Sequence, residues 1–90
     1  MLAADYTGKF KRDYKLAVKR KYDISLIDAV IRDLINEVPL HEKHRDHSLS
    51  GNYAGCRECH IKPDWLLIYQ VGNGTIVFER TGTHSDLLEK

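Results

Sequence analysis

The sequence predicts a single α+β domain in which a helical hairpin covers one face of a small antiparallel sheet. Two segments with helical spacing of apolar residues come first, at about 9–21 and 25–38. Strand-like segments follow at about 56–61, 65–71 and 75–81. Because the helices precede these strands instead of alternating with them, we expect an antiparallel sheet with helices on one face.

The N-terminal half is predicted to hold a short strand and two helices. The strand is expected at residues 2–6, and the first helix follows at Lys9. Ser25 and Asp28 have the spacing of a capping box, which starts the second helix. Pro39 ends it, because the residue before a proline disfavours helix. With the three later strands, the order is β-α-α-β-β-β in one domain spanning residues 1–90.

Turn residues define the strands of the C-terminal half. Pro63 presets φ for a turn and Asp64 tolerates turn conformations, so these two separate the first two strands. Gly72-Asn73-Gly74 contains the Asn-Gly signal of a tight hairpin. Residues 40–55 are polar and are predicted to form a loop.

Composition indicates a soluble cytoplasmic domain. The chain is 42% hydrophobic and 30% charged, with a formal net charge of +1. Its longest apolar run is much shorter than the roughly 20 residues of a membrane span. Two cysteines without a signal-peptide pattern favour a compartment in which thiols stay reduced.

Positive charge is concentrated on the first predicted helix. Seven lysines and arginines fall within residues 9–21, against one aspartate. Such a segment is either a solvated helix face or a surface that binds the phosphates of nucleic acid without sequence preference. For the second possibility we expect Lys11, Lys15 and Lys19 to contact the phosphates.

One segment has the C-x-x-C-H spacing of covalent haem attachment, Cys56-Arg57-Glu58-Cys59-His60. Its two cysteines could also supply half of the ligands of a zinc site. Haem is disfavoured because the chain has no export signal and its one methionine is the initiator. Zinc would take further ligands from His41, His44 or His47. Residues three apart on a strand point to opposite faces, so we favour two small buried cysteines.

Polar and aromatic side chains meet at the ends of two predicted strands. His60, Asp64 and Trp65 flank the Pro63-Asp64 turn, where Trp65 either joins the core or stacks on a nucleobase. Gly82 lets the chain leave the last strand sharply. We expect His84 then to project toward His60 and Asp64.

These residues fall into a recognisable order of motifs. The motifs are Asp46-His47-x-Leu49-x-Gly51, Arg57-x-x-His60-x-x-Pro63-Asp64-Trp65-Leu66-Leu67-Ile68-Tyr69 and Glu79-Arg80-Thr81-Gly82-Thr83-His84. They resemble the YafQ branch of the RelE superfamily, the toxins of type II toxin–antitoxin pairs, and the resemblance covers essentially the whole chain. It implies a RelE-like fold, ribosome-dependent cleavage of mRNA, and neutralisation by a cognate DinJ- or RelB-like antitoxin. Operator DNA would be bound only through the antitoxin complex.

The resemblance also implies roles for individual residues. His47, His60, Asp64, Trp65 and His84 would be catalytic or contact RNA. Leu88 stands where the familiar bacterial member has an aromatic residue, so base stacking there is not implied.

RNA supplies its own nucleophile, so the expected chemistry needs no metal or cofactor. The 2′-OH attacks the adjacent phosphorus, and histidine can accept or donate the protons near neutral pH. We expect His84 to be the general acid and Arg80 to stabilise the phosphate. His60 or Asp64 lies nearer the nucleophile, and Asp64 is either a base or the residue that orients a histidine. The alternative function is a non-catalytic zinc- or nucleic-acid-binding regulatory module.

Overall fold

The computed structural model describes residues 1–88 of the chain, except the side chain of Leu88. It contains five strands, three α-helices and two short 3₁₀ turns at Glu42–His44 and Gly51–Tyr53. The strands are β1 (Ala3–Tyr6), β2 (His47–Ser48), β3 (Arg57–Lys62), β4 (Trp65–Gly72) and β5 (Thr75–Gly82). The helices are α1 (Gly8–Lys19), α2 (Ile24–Ile35) and α3 (His84–Leu88). The prediction of an α+β fold with a helical hairpin is confirmed.

The sheet is mixed, which corrects the prediction of a purely antiparallel one. Its order is β1-β5-β4-β3-β2, and β1 runs parallel to β5 while the other pairs are antiparallel. A parallel pair needs a long connection. Here the helical hairpin and the other strands separate β1 from β5, so the short N-terminal strand can enter beside the last one.

Side-chain caps start both helices of the hairpin. The Thr7 hydroxyl accepts the Phe10 N–H at 2.9 Å and donates to the Glu79 carbonyl at 2.8 Å, so the cap also holds α1 against β5. The predicted capping box in α2 is wrong. Asp23 is the N-cap and accepts the Ser25 N–H at 3.1 Å, while Asp28 accepts the Tyr14 hydroxyl at 2.8 Å. Asp28 therefore ties α2 to α1.

The segment predicted as a plain polar loop, residues 40–55, contains β2 and both 3₁₀ turns. His41 Nδ1 accepts the Lys43 N–H at 3.0 Å, and Arg45 ends the first turn in the left-handed region at φ 49°. His47 then pairs with Glu58 across β2 and β3. Local side-chain bonds thus order a segment that has no hydrophobic period.

The two faces of the sheet carry separate apolar clusters. The helix-covered face includes Cys59, Leu67 and Phe78, all at 0% exposure. The opposite face holds a smaller cluster with Cys56, Leu66, Ile68 and Leu87. The cysteines lie in different clusters, which confirms the prediction of two buried thiols on opposite faces. Burial raises the pKa of Cys59 to about 12.

The short helix α3 was not predicted. Thr83 and Asp86 form a reciprocal cap: the Thr83 N–H donates to Asp86 Oδ2 at 3.0 Å, and the Asp86 N–H donates to the Thr83 hydroxyl at 3.1 Å. A Cβ at Gly82 would lie 2.9 Å from Asp86 Cβ. Glycine is therefore needed where β5 turns into α3.

None of the helices described for residues 1–88 is long and apolar enough to cross a membrane.

Candidate active site

Three histidines lie side by side on the sheet face opposite the helical hairpin. The ring centroids of His47 and His60 are 6.3 Å apart, and those of His60 and His84 are 5.9 Å apart. His47 and His84 have half-exposed side chains, whereas that of His60 is 14% exposed. The structure thus brings together all three histidines predicted from the sequence to be catalytic.

Strand alternation explains how His47 and His60 meet. Glu58 and His60 are two residues apart on β3 and therefore share a face, and His47 lies directly opposite Glu58 on β2. On β4, Ile68 lies opposite Glu58 and Leu66 lies opposite His60. Both belong to the apolar cluster of that face. His84 reaches the same place from the other side, because α3 begins just after β5.

Asp64 holds His84 through two hydrogen bonds. Its Oδ1 accepts the His84 backbone N–H at 2.9 Å and lies 2.6 Å from His84 Nδ1. An ionised carboxylate only accepts, so Nδ1 carries the proton and Nε2 is left for a substrate. The His84 backbone N–H, and then its imidazole, lower the pKa of Asp64. The Asp64 carboxylate thus orients the His84 imidazole for acid–base chemistry, and the two side chains form one unit.

Glu58 is a site residue that the sequence analysis missed. Its Oε1 lies 3.2 Å from His47 Nε2 and 3.6 Å from His60 Nε2. Glu58 is 5% exposed, and among the described residues its Oε2 has no hydrogen-bond partner. Alternation along β3 would have placed Glu58 on the face of His60. One carboxyl oxygen of Glu58 is therefore shared by two of the three imidazoles.

The other two histidines, His41 and His44, have structural roles. His44 Nδ1 lies 2.7 Å from the His60 carbonyl oxygen, which ties the first 3₁₀ turn to β3. His41 caps that turn at Lys43. In the described structure neither side chain hydrogen-bonds to the imidazole of a site histidine.

Trp65 is a core residue, and its burial favours the first of the two predicted alternatives, a core position, over base stacking. It is 3% exposed and packs edge-on against Tyr22, with ring centroids 4.8 Å apart. Its indole N–H donates to the Thr81 hydroxyl at 3.0 Å, and that hydroxyl donates to the Leu66 carbonyl at 2.6 Å. The Pro63-Asp64 turn starts β4 with Trp65 directed into the core instead of toward solvent.

Arg80 shares the sheet face of His60 but is not in contact with the histidines. It lies in one cross-strand row with Ile68 and Glu58, two strands or roughly 10 Å from Glu58. Its Nε and Nη2 donate to Asp13 at 2.6 and 3.1 Å, which raises the pKa of the guanidinium. A phosphate contact by Arg80 would therefore compete with Asp13.

The three lysines singled out on α1 lie away from the histidines. Lys11, Lys15 and Lys19 are all exposed and repeat every fourth residue, so they form one stripe along the helix. Lys11 and Lys15 border a groove between α1 and α2, on the covered side of the sheet. The stripe and the histidines therefore form two separate surfaces.

Three cations that the sequence analysis did not single out line a cavity with two of the site histidines. A cavity of about 780 Å³ is lined by His60 and His84 together with Lys43, Arg45 and Lys62. No group of three or more His, Cys, Asp or Glu side chains within the described part of the chain is arranged to hold a metal ion. The site thus combines imidazoles and cations, which suits proton transfer beside a phosphate.

Comparisons with known proteins agree with this architecture. The family model for YafQ, the bacterial toxin of type II toxin–antitoxin systems, matches residues 2–89. The mRNA interferase toxin YafQ of Escherichia coli K12 is 42% identical over 84 residues, which cover 92% of this chain and 91% of the relative. The putative toxin YafQ of Haemophilus influenzae is 39% identical over 77% of this chain and 71% of the relative.

Solved structures show the same fold. A chain in the crystal structure of the E. coli DinJ–YafQ complex superimposes with a TM-score of 0.91 at 40% identity, covering 97% of this chain and 98% of that one. With the histidine-bearing sheet face, this similarity defines a toxin of the type II toxin–antitoxin class. Within that class, the chain belongs to the YafQ family.

Proposed function

We propose that this toxin is an endoribonuclease that cleaves mRNA on the ribosome by acid–base catalysis from its own side chains. The relatives named mRNA interferases support the substrate. The observation that carries the mechanism is the placement of His84, oriented by Asp64, 5.9 Å from the ring of His60. Two imidazoles at that spacing can flank one phosphate.

In the proposed reaction the 2′-OH attacks the adjacent phosphorus. Its proton passes to His60, the O2′–P bond forms and the P–O5′ bond breaks. His84 donates a proton to the leaving O5′ atom, so the products are a 2′,3′-cyclic phosphate and a 5′-hydroxyl. Each well-placed acid or base contributes about 10²–10⁴-fold to such a reaction.

The two hydrogen bonds from His84 to Asp64 support an orienting role for Asp64 instead of a role as base. A carboxylate whose pKa is lowered is a weaker proton acceptor, and its Oδ1 is already engaged. His47, beside Glu58, is the second candidate base, since its Nε2 and that of His60 share one carboxylate oxygen. Arg80 would bind the phosphate after leaving Asp13.

The proposal extends to partners and organisation. Residues 1–90 would form one toxin domain that acts in the cytoplasm, where ribosomes and mRNA are found. The DinJ complex of a relative supports a DinJ- or RelB-like antitoxin as the partner. Operator DNA would be contacted only through that complex. The exposed lysine stripe on α1 supports contact with ribosomal RNA.

The rate at which the His84→Ala variant cleaves mRNA tests the mechanism. On ribosomes programmed with a reporter mRNA, we expect His84→Ala to cleave at least about 10²-fold more slowly than the wild type. His41→Asn is the matched control, because it removes a histidine outside the site and keeps an N-capping side chain. Circular dichroism checks that both variants fold. Wild-type rates for His84→Ala would contradict the mechanism.

A second measurement separates the acid from the base. A substrate with a 5′-thio leaving group needs little protonation, so it should restore much of the rate lost in His84→Ala but not in His60→Ala. Rescue of His60→Ala alone would exchange the two roles. Equal cleavage of naked and ribosome-bound mRNA would contradict only the ribosome dependence.

A further inference from the structure

The cavity beside His60 and His84 is lined by both cations and apolar side chains. The cations are Lys43, Arg45 and Lys62, and all three are exposed. The apolar lining comes from Leu26, Ile61 and Pro63. Its volume of about 780 Å³ falls in the range of small-ligand sites. We call it the Lys62 cavity.

The charges of the Lys62 cavity are uncompensated. Arg20, Arg57 and Arg80 each pair with an aspartate at 3.1 Å or less. Among the described residues, Lys43, Arg45 and Lys62 have no carboxylate within ion-pair distance. Three such cations around one concave surface produce a positive potential that attracts anions.

The backbone carrying these cations is held in place. The His41 side chain accepts the Lys43 N–H at 3.0 Å, and Arg45 follows in the left-handed conformation. His44 Nδ1 lies 2.7 Å from the His60 carbonyl oxygen and joins this turn to the strand that ends at Lys62. The backbone of these three residues is therefore fixed relative to the site histidines.

We infer that the Lys62 cavity binds the RNA nucleotide next to the scissile phosphate. Its cations would contact the phosphate of that nucleotide, and its apolar lining would contact the base. This inference rests on the proposed function, because it takes His60 and His84 to flank the reacting phosphate. It also supplies an apolar surface for a base at a site where Trp65 is buried.

The probe is a 2′-O-methyl trinucleotide with 5′- and 3′-phosphates, which lacks the nucleophile and is not cleaved. Amide NMR titration at low salt should shift the signals of residues 43–45 and 61–62. The triple variant Lys43→Gln, Arg45→Gln and Lys62→Gln should bind about tenfold more weakly. Its slope of log K against log salt should be shallower by about 2, since each contact to a single strand contributes about 0.7. The triple variant Lys9→Gln, Arg12→Gln and Arg32→Gln, which removes the same charge at exposed positions outside the cavity, is the charge-matched control.

Unchanged binding by the folded triple variant, or shifts confined to another surface, would overturn the subsite. Inorganic phosphate that competes as well as the trinucleotide would show an anion site without a base contact, which also contradicts the inference. Neither result affects the cleavage mechanism, which depends on the rate of His84→Ala. Conversely, wild-type cleavage by His84→Ala would refute the mechanism while leaving the measured binding intact.

Discussion

His84 donates both its backbone N–H and its Nδ1–H to the same oxygen of Asp64, at 2.9 and 2.6 Å. One carboxylate oxygen thereby anchors the first residue of α3 and orients its imidazole. Asp64 belongs to the Pro63-Asp64 turn, so a local turn in one hairpin positions a side chain that follows the next strand. This coupling is what brings the proposed acid to the proposed base.

The Asp64–His84 pair predicts a pH effect. His84→Ala removes the imidazole donor but keeps the backbone donor, so the pKa of Asp64 should rise part of the way toward its usual value near 4. Carboxyl NMR titration measures it directly. Because the wild-type pKa is lowered, the stabilisation is present above about pH 4 and is lost as pH falls through the folded-state pKa. An Asp64 titration unchanged by the mutation would contradict the contact.

Substitutions of Trp65 should affect stability more than cleavage. Trp65→Ala leaves a core cavity and should lower the free energy of unfolding by about 3–5 kcal/mol. Trp65→Phe retains an aromatic ring but leaves the Thr81 hydroxyl without its indole donor, which costs about 1–2 kcal/mol. Chemical denaturation measures both. Folded Trp65→Phe should cleave within about threefold of the wild type, and a loss of 10²-fold would restore a direct role in stacking.

Substitutions of Asp13 and Arg80 distinguish the stabilising effect of their ion pair from the proposed contact of Arg80 with the phosphate. Asp13→Asn and Arg80→Ala each remove the paired charge, so each should lower the free energy of unfolding by about 1–3 kcal/mol. The proposed phosphate contact predicts that only Arg80→Ala slows cleavage, by at least about tenfold. Equal cleavage rates for the two folded variants would leave Arg80 with the stabilising role alone.

The lysine stripe on α1 predicts salt-dependent ribosome binding. Changing Lys11, Lys15 and Lys19 to Glu should weaken the affinity for ribosomes. The slope of log affinity against log salt concentration should become shallower by about 2–3. The triple Arg variant keeps the charge and should bind like the wild type. Sedimentation with ribosomes at several salt concentrations measures both. Unchanged affinity of the Glu variant would make the stripe a solvated face, and weaker antitoxin binding would assign it to that partner.

Local patterns were enough to predict the helical hairpin, the three C-terminal strands and the meeting of His84 with Asp64 and His60. Each prediction used a short local signal: a helical period, a Pro-Asp turn, an Asn-Gly turn or a glycine before the histidine. At that Asn-Gly turn, Asn73 and Gly74 both have positive φ, at 53° and 77°, as a tight hairpin turn requires. Strand alternation likewise placed Cys56 and Cys59 on opposite faces.

Only the tertiary structure decided the features that depend on distant partners. The parallel pairing of β1 with β5 joins residues about 70 positions apart, and no local pattern encodes such a pair. Trp65 is buried because Tyr22 and Thr81 surround it, and Glu58 becomes a site residue because β2 sets His47 opposite it. Lys43, Arg45 and Lys62 face one cavity because a short turn is tied to β3. The burial of a side chain and the balance of charge around it depend on all its neighbours in space. The sequence alone does not specify those neighbours.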